Sequence, residues 1–353
     1  MAEPSKTGIS IRNLYKIFGS EAEACVDLVR NGMSKTELNE KHGHVLGLKD
    51  INIDMQEGCI QVVMGLSGSG KSTLIRHINR LIDPTTGEVV VGGVDVVKMG
   101  PTELREFRRH QTAMVFQKFA LLPHRTVIEN TVYGLEIQGV PRGKQEESAH
   151  YWIERVGLKG FENSYPNQLS GGMQQRVGLS RALTNDAPIL LMDEAFSALD
   201  PLIRMDMQGI LLDLQKEVRK TVVFITHDLD EALRLGDRVA ILRDGEIVQQ
   251  GTGQDIVLNP ADEYISSFVR EVNRGRVITV ESIMVAGSEK AESGLAISST
   301  TVLEDAAKLM TETRQQSAFV TDGSGKTIGH IGMQELIAAM VTPVSNIPDQ
   351  DAA

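Results

Sequence analysis

The chain is 353 residues long, enough for about two domains at ~150 residues each and for a large buried core. Its 47 acidic residues outweigh 36 basic ones, so the net charge is −11 and phosphate backbones are repelled, which disfavours sequence-independent nucleic-acid binding as the main task. Apolar residues at 41% exclude wholesale disorder, and two cysteines, Cys25 and Cys59, are too few for a disulfide scaffold or a zinc cluster, so a reduced, cytosolic setting is expected.

Residues 1–10 are polar and lack an apolar signal core. No stretch approaches the ~20 apolar residues of a membrane helix. The chain is therefore not expected to span a bilayer, which leaves docking against a protein that does.

Residues 11 to 100 predict strands leading into a glycine-rich turn and a helix. Ile60-Gln61-Val62-Val63-Met64 reads as a buried strand, and 71–81 has helical spacing with Leu74, Ile75, Ile78 and Leu81 on one side. The polar segment 21–44 predicts an added surface helical hairpin, with a capping box at Ser34-Lys35-Thr36-Glu37 and a stop near Gly43. Residues 101–185 read as helix-rich, with one helical pattern around Trp152. Strands and helices then alternate: a strand at 188–192, a helix at 201–220 capped by Asp200, a strand at 221–226, a helix at 228–235, and a hairpin turning at Asp244-Gly245. That alternation predicts a largely parallel, helix-covered sheet, an α/β fold.

Past residue 275 the texture changes. A polar link at 273–276 precedes a small α+β module at 276–353. Its predicted parts are a capping box at Thr301-Val302-Leu303-Glu304, a helix through Met310, strands at 317–321 and 327–331, and a closing helix at 333–340. The chain end, with Pro343, Pro348 and Asp351, is expected to fray.

Three segments carry chemistry. Gly65-Leu66-Ser67-Gly68-Ser69-Gly70-Lys71-Ser72 fits G-x-x-x-x-G-K-S: glycines let backbone N–H groups wrap a phosphate, and the next helix aims its positive end at the same anion. Lys71 would reach the β- and γ-phosphates and Ser72 would ligate Mg²⁺. Ile189-Leu190-Leu191-Met192-Asp193-Glu194 delivers two acids to a strand end, Asp193 for Mg²⁺ and Glu194 to polarise water; alone, such a pair could equally cap a helix. Leu169-Ser170-Gly171-Gly172-Met173-Gln174 opens a second anion-facing helix 99 positions after Lys71. One nucleotide has one γ-phosphate, so a second such helix makes sense if it serves a nucleotide held by another copy.

These residues resemble the ATP-binding subunit of an ATP-binding cassette (ABC) transporter: a P-loop NTPase cassette with a mostly parallel sheet core and a helical subdomain at about 101–185, here within a 1–275 ATPase domain. The Walker A loop matches 65–72, the signature 169–174, the Walker B strand 189–193 with catalytic Glu194, the D-loop Ser197-Ala198-Leu199-Asp200, the Q-loop Gln117 and the switch histidine His227. The resemblance implies ATP and Mg²⁺ as cofactors and a head-to-tail homodimer. Nucleotide contacts would fall on Gly65, Ser67, Gly68, Ser69, Gly70, Lys71, Ser72, Thr73 and Asp193 of one copy. Ser170, Gly171 and Gly172 of the other would complete them. Ser72, Gln117 and Asp193 would hold the metal, Glu194 would act as general base, and His227 would contact the γ-phosphate. Phe18 stands where the family stacks adenine on an aromatic, usually Tyr; a core Phe is the rival reading. Phe119, Leu121, Leu122 and Pro123 either line a groove for a permease helix or form a core hairpin.

The resemblance narrows to ATPases of glycine betaine/proline betaine/choline importers. The supporting residues are the 21–44 segment, Asn79-Arg80-Leu81-Ile82, and Met192-Asp193-Glu194-Ala195-Phe196-Ser197-Ala198-Leu199-Asp200-Pro201-Leu202-Ile203-Arg204. It implies a membrane permease and, indirectly, a periplasmic or tethered solute-binding protein, with this chain peripheral at the cytoplasmic face. An amino-acid importer ATPase, for example of the methionine type, is the runner-up. A DNA-repair ATPase would need a coiled coil that the 99-position spacing excludes, and a translation factor a second cassette. The tail resembles one CBS repeat of the β-α-β-β-α type, with five basic residues against ten acidic ones from Arg276 onward, which speaks against an anionic-membrane sensor.

Overall fold

The computed structural model describes residues 8–287 and 294–341, in two compact units that part between Gln250 and Gly251. The polar link at 273–276 lies inside the second unit. The chain end with Pro343, Pro348 and Asp351 lies outside the described residues.

The first unit opens on β1 (Ile9–Phe18). The expected hairpin follows as a 3-10 turn, α1 (Val26–Arg30) and α2 (Lys35–His42), before β2 (Val45–Met55). Ser34 caps α2: its hydroxyl accepts from Glu37 N at 3.2 Å, and the Glu37 carboxylate accepts from Ser34 N at 3.1 Å. The hairpin has its own core, with Cys25, Val26, Val29 and Leu38 packed on Tyr15, Ile17 and Leu46.

β3 (Ile60–Met64) is buried at every position and feeds the glycine loop and α3 (Lys71–Ile78). Leu74, Ile75 and Ile78 enter the main core as expected. Leu81 does not; it is 51% exposed, because the helix ends at Ile78 and Arg80 turns the chain at φ +49°. β4 (Thr86–Val91) and β5 (Val94–Asp95) complete an antiparallel sheet of order β2-β1-β4-β5. Then come α4 (Pro101–His110), β6 (Thr112–Phe116), α5 (Val127–Gln138), α6 (Arg142–Arg155) and α7 (Gly171–Thr184). β6 is a strand inside a stretch that reads as helix-rich, held by parallel pairing with β7 (Ile189–Asp193).

α8 (Pro201–Val218) starts on Asp200, whose carboxylate accepts from Ile203 N at 3.1 Å. β8 (Thr221–Thr226), α9 (Leu229–Leu235), β9 (Arg238–Arg243) and β10 (Glu246–Gly251) close the unit. Asp244 and Gly245, at φ +51° and +87°, make the tight turn between the last two strands. The second sheet runs β10-β9-β3-β8-β7-β6, with β9, β3, β8, β7 and β6 mutually parallel. Phe224 and Phe196 pack beneath it with centroids 5.5 Å apart.

In the second unit, α10 (Gly253–Leu258) and α11 (Glu263–Val269) precede β11 (Val285–Ala286), β12 (Ala296–Ser298), α12 (Leu303–Glu312), β13 (Ser317–Thr321), β14 (Thr327–Gly332) and α13 (Met333–Met340). From β12 onward the order is β-α-β-β-α, and the sheet runs β11-β14-β13-β12. The capping box expected at Thr301-Val302-Leu303-Glu304 does not form: Val302 is the cap and makes no side-chain bond. The helix begins one residue late for that box, and Arg276 holds the Glu304 carboxylate at 2.7 Å.

Candidate functional site

Parallel pairing sets the site. Met64 lies opposite Thr226, Ile225 opposite Asp193, and Asp193 opposite Phe116. Four strands therefore stop at one carboxyl edge, where open α/β sheets bind ligands. The residues just past those ends are Gly65, His227, Glu194 and Gln117.

The loop 65–72 wraps tightly. Gly65 sits at φ +153°, and a Cβ there would lie 2.2 Å from the Leu242 carbonyl oxygen. Gly70, at φ +106°, would meet the Gly47 carbonyl at 2.6 Å. Lys71 is 4% exposed, and its Nζ donates to the carbonyls of Gly65 at 2.8 Å and Leu66 at 2.9 Å. Burial pulls its pKa down, while Glu194, 3.7 Å away, and Asp193 pull it back up. Ser69 Oγ is buried inside the loop without a partner. The Thr73 carbonyl accepts from His77 Nδ1 at 2.7 Å; burial holds His77 down to about 4, neutral at pH 7.

Ser72 Oγ donates to Asp193 Oδ1 at 2.7 Å, and Arg76 Nη2 donates to Asp193 Oδ2 at 3.1 Å. Arg76 is absent from the sequence-derived set, although it lies one turn beyond Ser72 on the same helix face. Glu194 takes the left-handed backbone, φ +48°, with its N–H on the Ile225 carbonyl at 3.1 Å. Its carboxylate accepts from Gln117 Nε2 at 3.1 Å and lies 3.7 Å from His227 Nδ1. Gln117 Nε2 also reaches Ser197 Oγ at 3.2 Å. Lys71, Ser72, Asp193, Glu194, Gln117 and His227 thus form one connected cluster. Arg204, also missed, anchors its rim: it bonds Asp228, beside His227, at 3.2 Å and the Leu199 carbonyl at 3.2 Å. Only packing of two distant loops on α8 reveals it.

Ser170, Gly171 and Gly172 stand apart. Ser170 Oγ caps α7 by accepting from Met173 N at 3.3 Å, and the two glycines abut Phe119 and Ile203. Among the described residues no hydrogen bond joins them to the 65–72 loop. Phe18 is 40% exposed, with Lys16 Nζ over its ring at 5.1 Å from the centroid, so it is not a core residue and the core reading fails. Of the four residues expected at a permease groove, Leu122 lines a cavity of about 780 Å³ with Leu81, Leu104, Met114, Phe116 and Ile137. Phe119 turns instead toward Gly171.

A family model described as "ABC transporter" matches residues 48–197. The glycine betaine/proline betaine transport ATP-binding protein ProV of Escherichia coli (strain K12) is 46% identical over 334 residues, 94% of this chain and 82% of that protein. The chain belongs to the ABC transporter ATP-binding proteins. OpuAA of Bacillus subtilis (strain 168), a glycine betaine transport ATP-binding protein, is 54% identical over 276 residues, 78% of this chain and 66% of OpuAA. The methionine import ATP-binding protein MetN 2 of Enterococcus faecalis matches less of the chain, 67%, at 45% identity. A dimeric bacterial ABC transporter cassette superposes with TM-score 0.60 at 33% identity, over 69% of this chain and 98% of that one. The fold class read from the motifs, a P-loop ABC cassette, therefore stands.

Proposed function

We propose that this chain is the ATP-hydrolysing subunit of an importer of glycine betaine, proline betaine and related quaternary amines. The six-residue cluster at one sheet edge, with the signature residues held away from it, carries the ATPase part of this reading, and the similarity to ProV and OpuAA supports the quaternary-amine part. The 65–72 loop would cradle the phosphates and Phe18 would stack the adenine. The unpartnered Ser69 hydroxyl and the Ser72–Asp193 pair fit a phosphate with a hard cation. Ser72, Asp193 and Gln117 would hold Mg²⁺, which neutralises charge on the phosphate oxygens. Glu194 would take the proton of the attacking water, and His227 would orient the γ-phosphate. Ser170, Gly171 and Gly172 would serve the nucleotide of a second copy.

Coupling then runs through partners. No described helix is long and apolar enough to cross a membrane. The groove of Leu81, Leu104 and Phe116, which Arg105, Arg108, Arg109 and Arg181 also line, suits a helix of a separate permease, fed by a solute-binding protein. That arrangement makes the chain peripheral, at the cytoplasmic face. Loss of the gene should abolish uptake of labelled glycine betaine and leave methionine uptake intact. The reverse pattern would instead establish the methionine alternative.

The tail's β-α-β-β-α order supports the reading of one CBS-like repeat. Two tails would pair across the ATPase dimer and modulate hydrolysis. Removing residues after 275 should change how ATPase activity and uptake respond to salt and nucleotide. Unchanged responses would leave the tail as a spacer.

A further inference from the structure

The 21–44 hairpin looks like surface decoration in sequence, but its geometry ties it to the phosphate loop. Lys35, the first residue of α2, places Nζ 3.3 Å from the Gly68 carbonyl oxygen, in the middle of the 65–72 loop. Its backbone is well anchored. The Ser34–Glu37 capping box fixes the helix start, and Leu38, one turn on, is fully buried in the hairpin core. Lys35 is half-buried, and among the described residues no carboxylate pairs with it, although the chain is strongly acidic. A carbonyl holds an ammonium close without cancelling its charge, so that charge stays available to an incoming anion.

The same hairpin also reaches the other end of the nucleotide. Residues 20–24 face Lys16, Phe18, Pro84 and Thr85 across a cleft of about 760 Å³ beside the partly exposed Phe18 ring. One inserted element thus borders both the ring that would stack a base and the loop that would cradle phosphates.

We infer that the 21–44 hairpin is a nucleotide-binding element and that Lys35 supplies a positioning charge to the phosphate loop besides Lys71. This rests on the reading of 65–72 as a phosphate cradle. Lys35 touches no reacting atom. It adds attraction that bound and activated nucleotide share, so it acts on affinity rather than on the chemical step.

The test is a titration of full-length protein with ATP and Mg²⁺, alongside steady-state ATPase kinetics. Lys35→Ala should weaken ATP binding about threefold and Lys35→Glu about tenfold, while Lys35→Arg stays near wild type. KM should rise in step and kcat should stay within about twofold. The gap between wild type and Lys35→Glu should shrink as salt rises from about 50 to 300 mM, because a charge that is still partly in contact with water is screened. Equal affinities for wild type and Lys35→Glu would overturn the inference. So would a loss that salt does not reduce or that Lys35→Arg shares, since that pattern marks a packing role. Failure of the wild type itself to bind ATP would instead overturn the ATPase reading.

Discussion

Glu194→Gln is expected to cut ATP turnover by about 10²–10³-fold while ATP affinity stays within about twofold. The substitution is nearly isosteric, and a Gln oxygen can still accept from Gln117 Nε2, now 3.1 Å from the carboxylate. The left-handed backbone at φ +48° is no more costly for Gln than for Glu. What disappears is the basic oxygen that takes a proton from water, and with it the charge 3.7 Å from Lys71. Because hydrolysis stops after binding, the variant should also accumulate as an ATP-loaded dimer. Phosphate release, nucleotide titration and light scattering read the three effects separately. Near-normal phosphate release would remove Glu194 as the general base, and a strictly monomeric ATP-loaded variant would remove the shared site.

Much of this site was legible before any coordinates, because it is built from strand ends. A largely apolar segment such as 60–64 or 189–192, followed at once by Gly65 or by Asp193 and Glu194, marks both a buried strand and its carboxyl edge. Parallel pairing then does the rest, since strands that stop in register bring Gly65, Glu194 and His227 together. The failures share a different cause. β6 carries its own apolar run, Ala113-Met114-Val115-Phe116, but that run directly follows the charged helix α4, so in sequence it reads as part of a helical stretch until pairing with β7 sets it as a strand. The box at Thr301 is locally well formed in sequence, yet Arg276 draws Glu304 away from it. Lys35 and Gly68 are 33 positions apart, and nothing in either segment announces that they meet. Arg76 was within reach of a sequence argument, because Ser72 and Arg76 are spaced to share one helix face and both end on Asp193.

Lys71→Ala should act one step earlier, weakening ATP binding itself by about 10- to 100-fold, the size of one or two charge-assisted bonds to phosphate. The ammonium is buried, held by the Gly65 and Leu66 carbonyls, with Glu194 close by. Those are the partners a phosphate would replace or supplement, so the loop holds a cation where a phosphate would need one. Lys71→Arg should not restore binding: at 4% exposure the site has no room for a planar fork, and a compact point charge is what the loop encloses. The two substitutions therefore separate along the reaction. Glu194→Gln binds ATP but turns it over poorly, whereas Lys71→Ala binds it weakly, and the double variant should bind as weakly as Lys71→Ala alone. Nucleotide titration of all three proteins checks this order. If Lys71→Ala held ATP as tightly as wild type, residues 65–72 would not be the phosphate cradle.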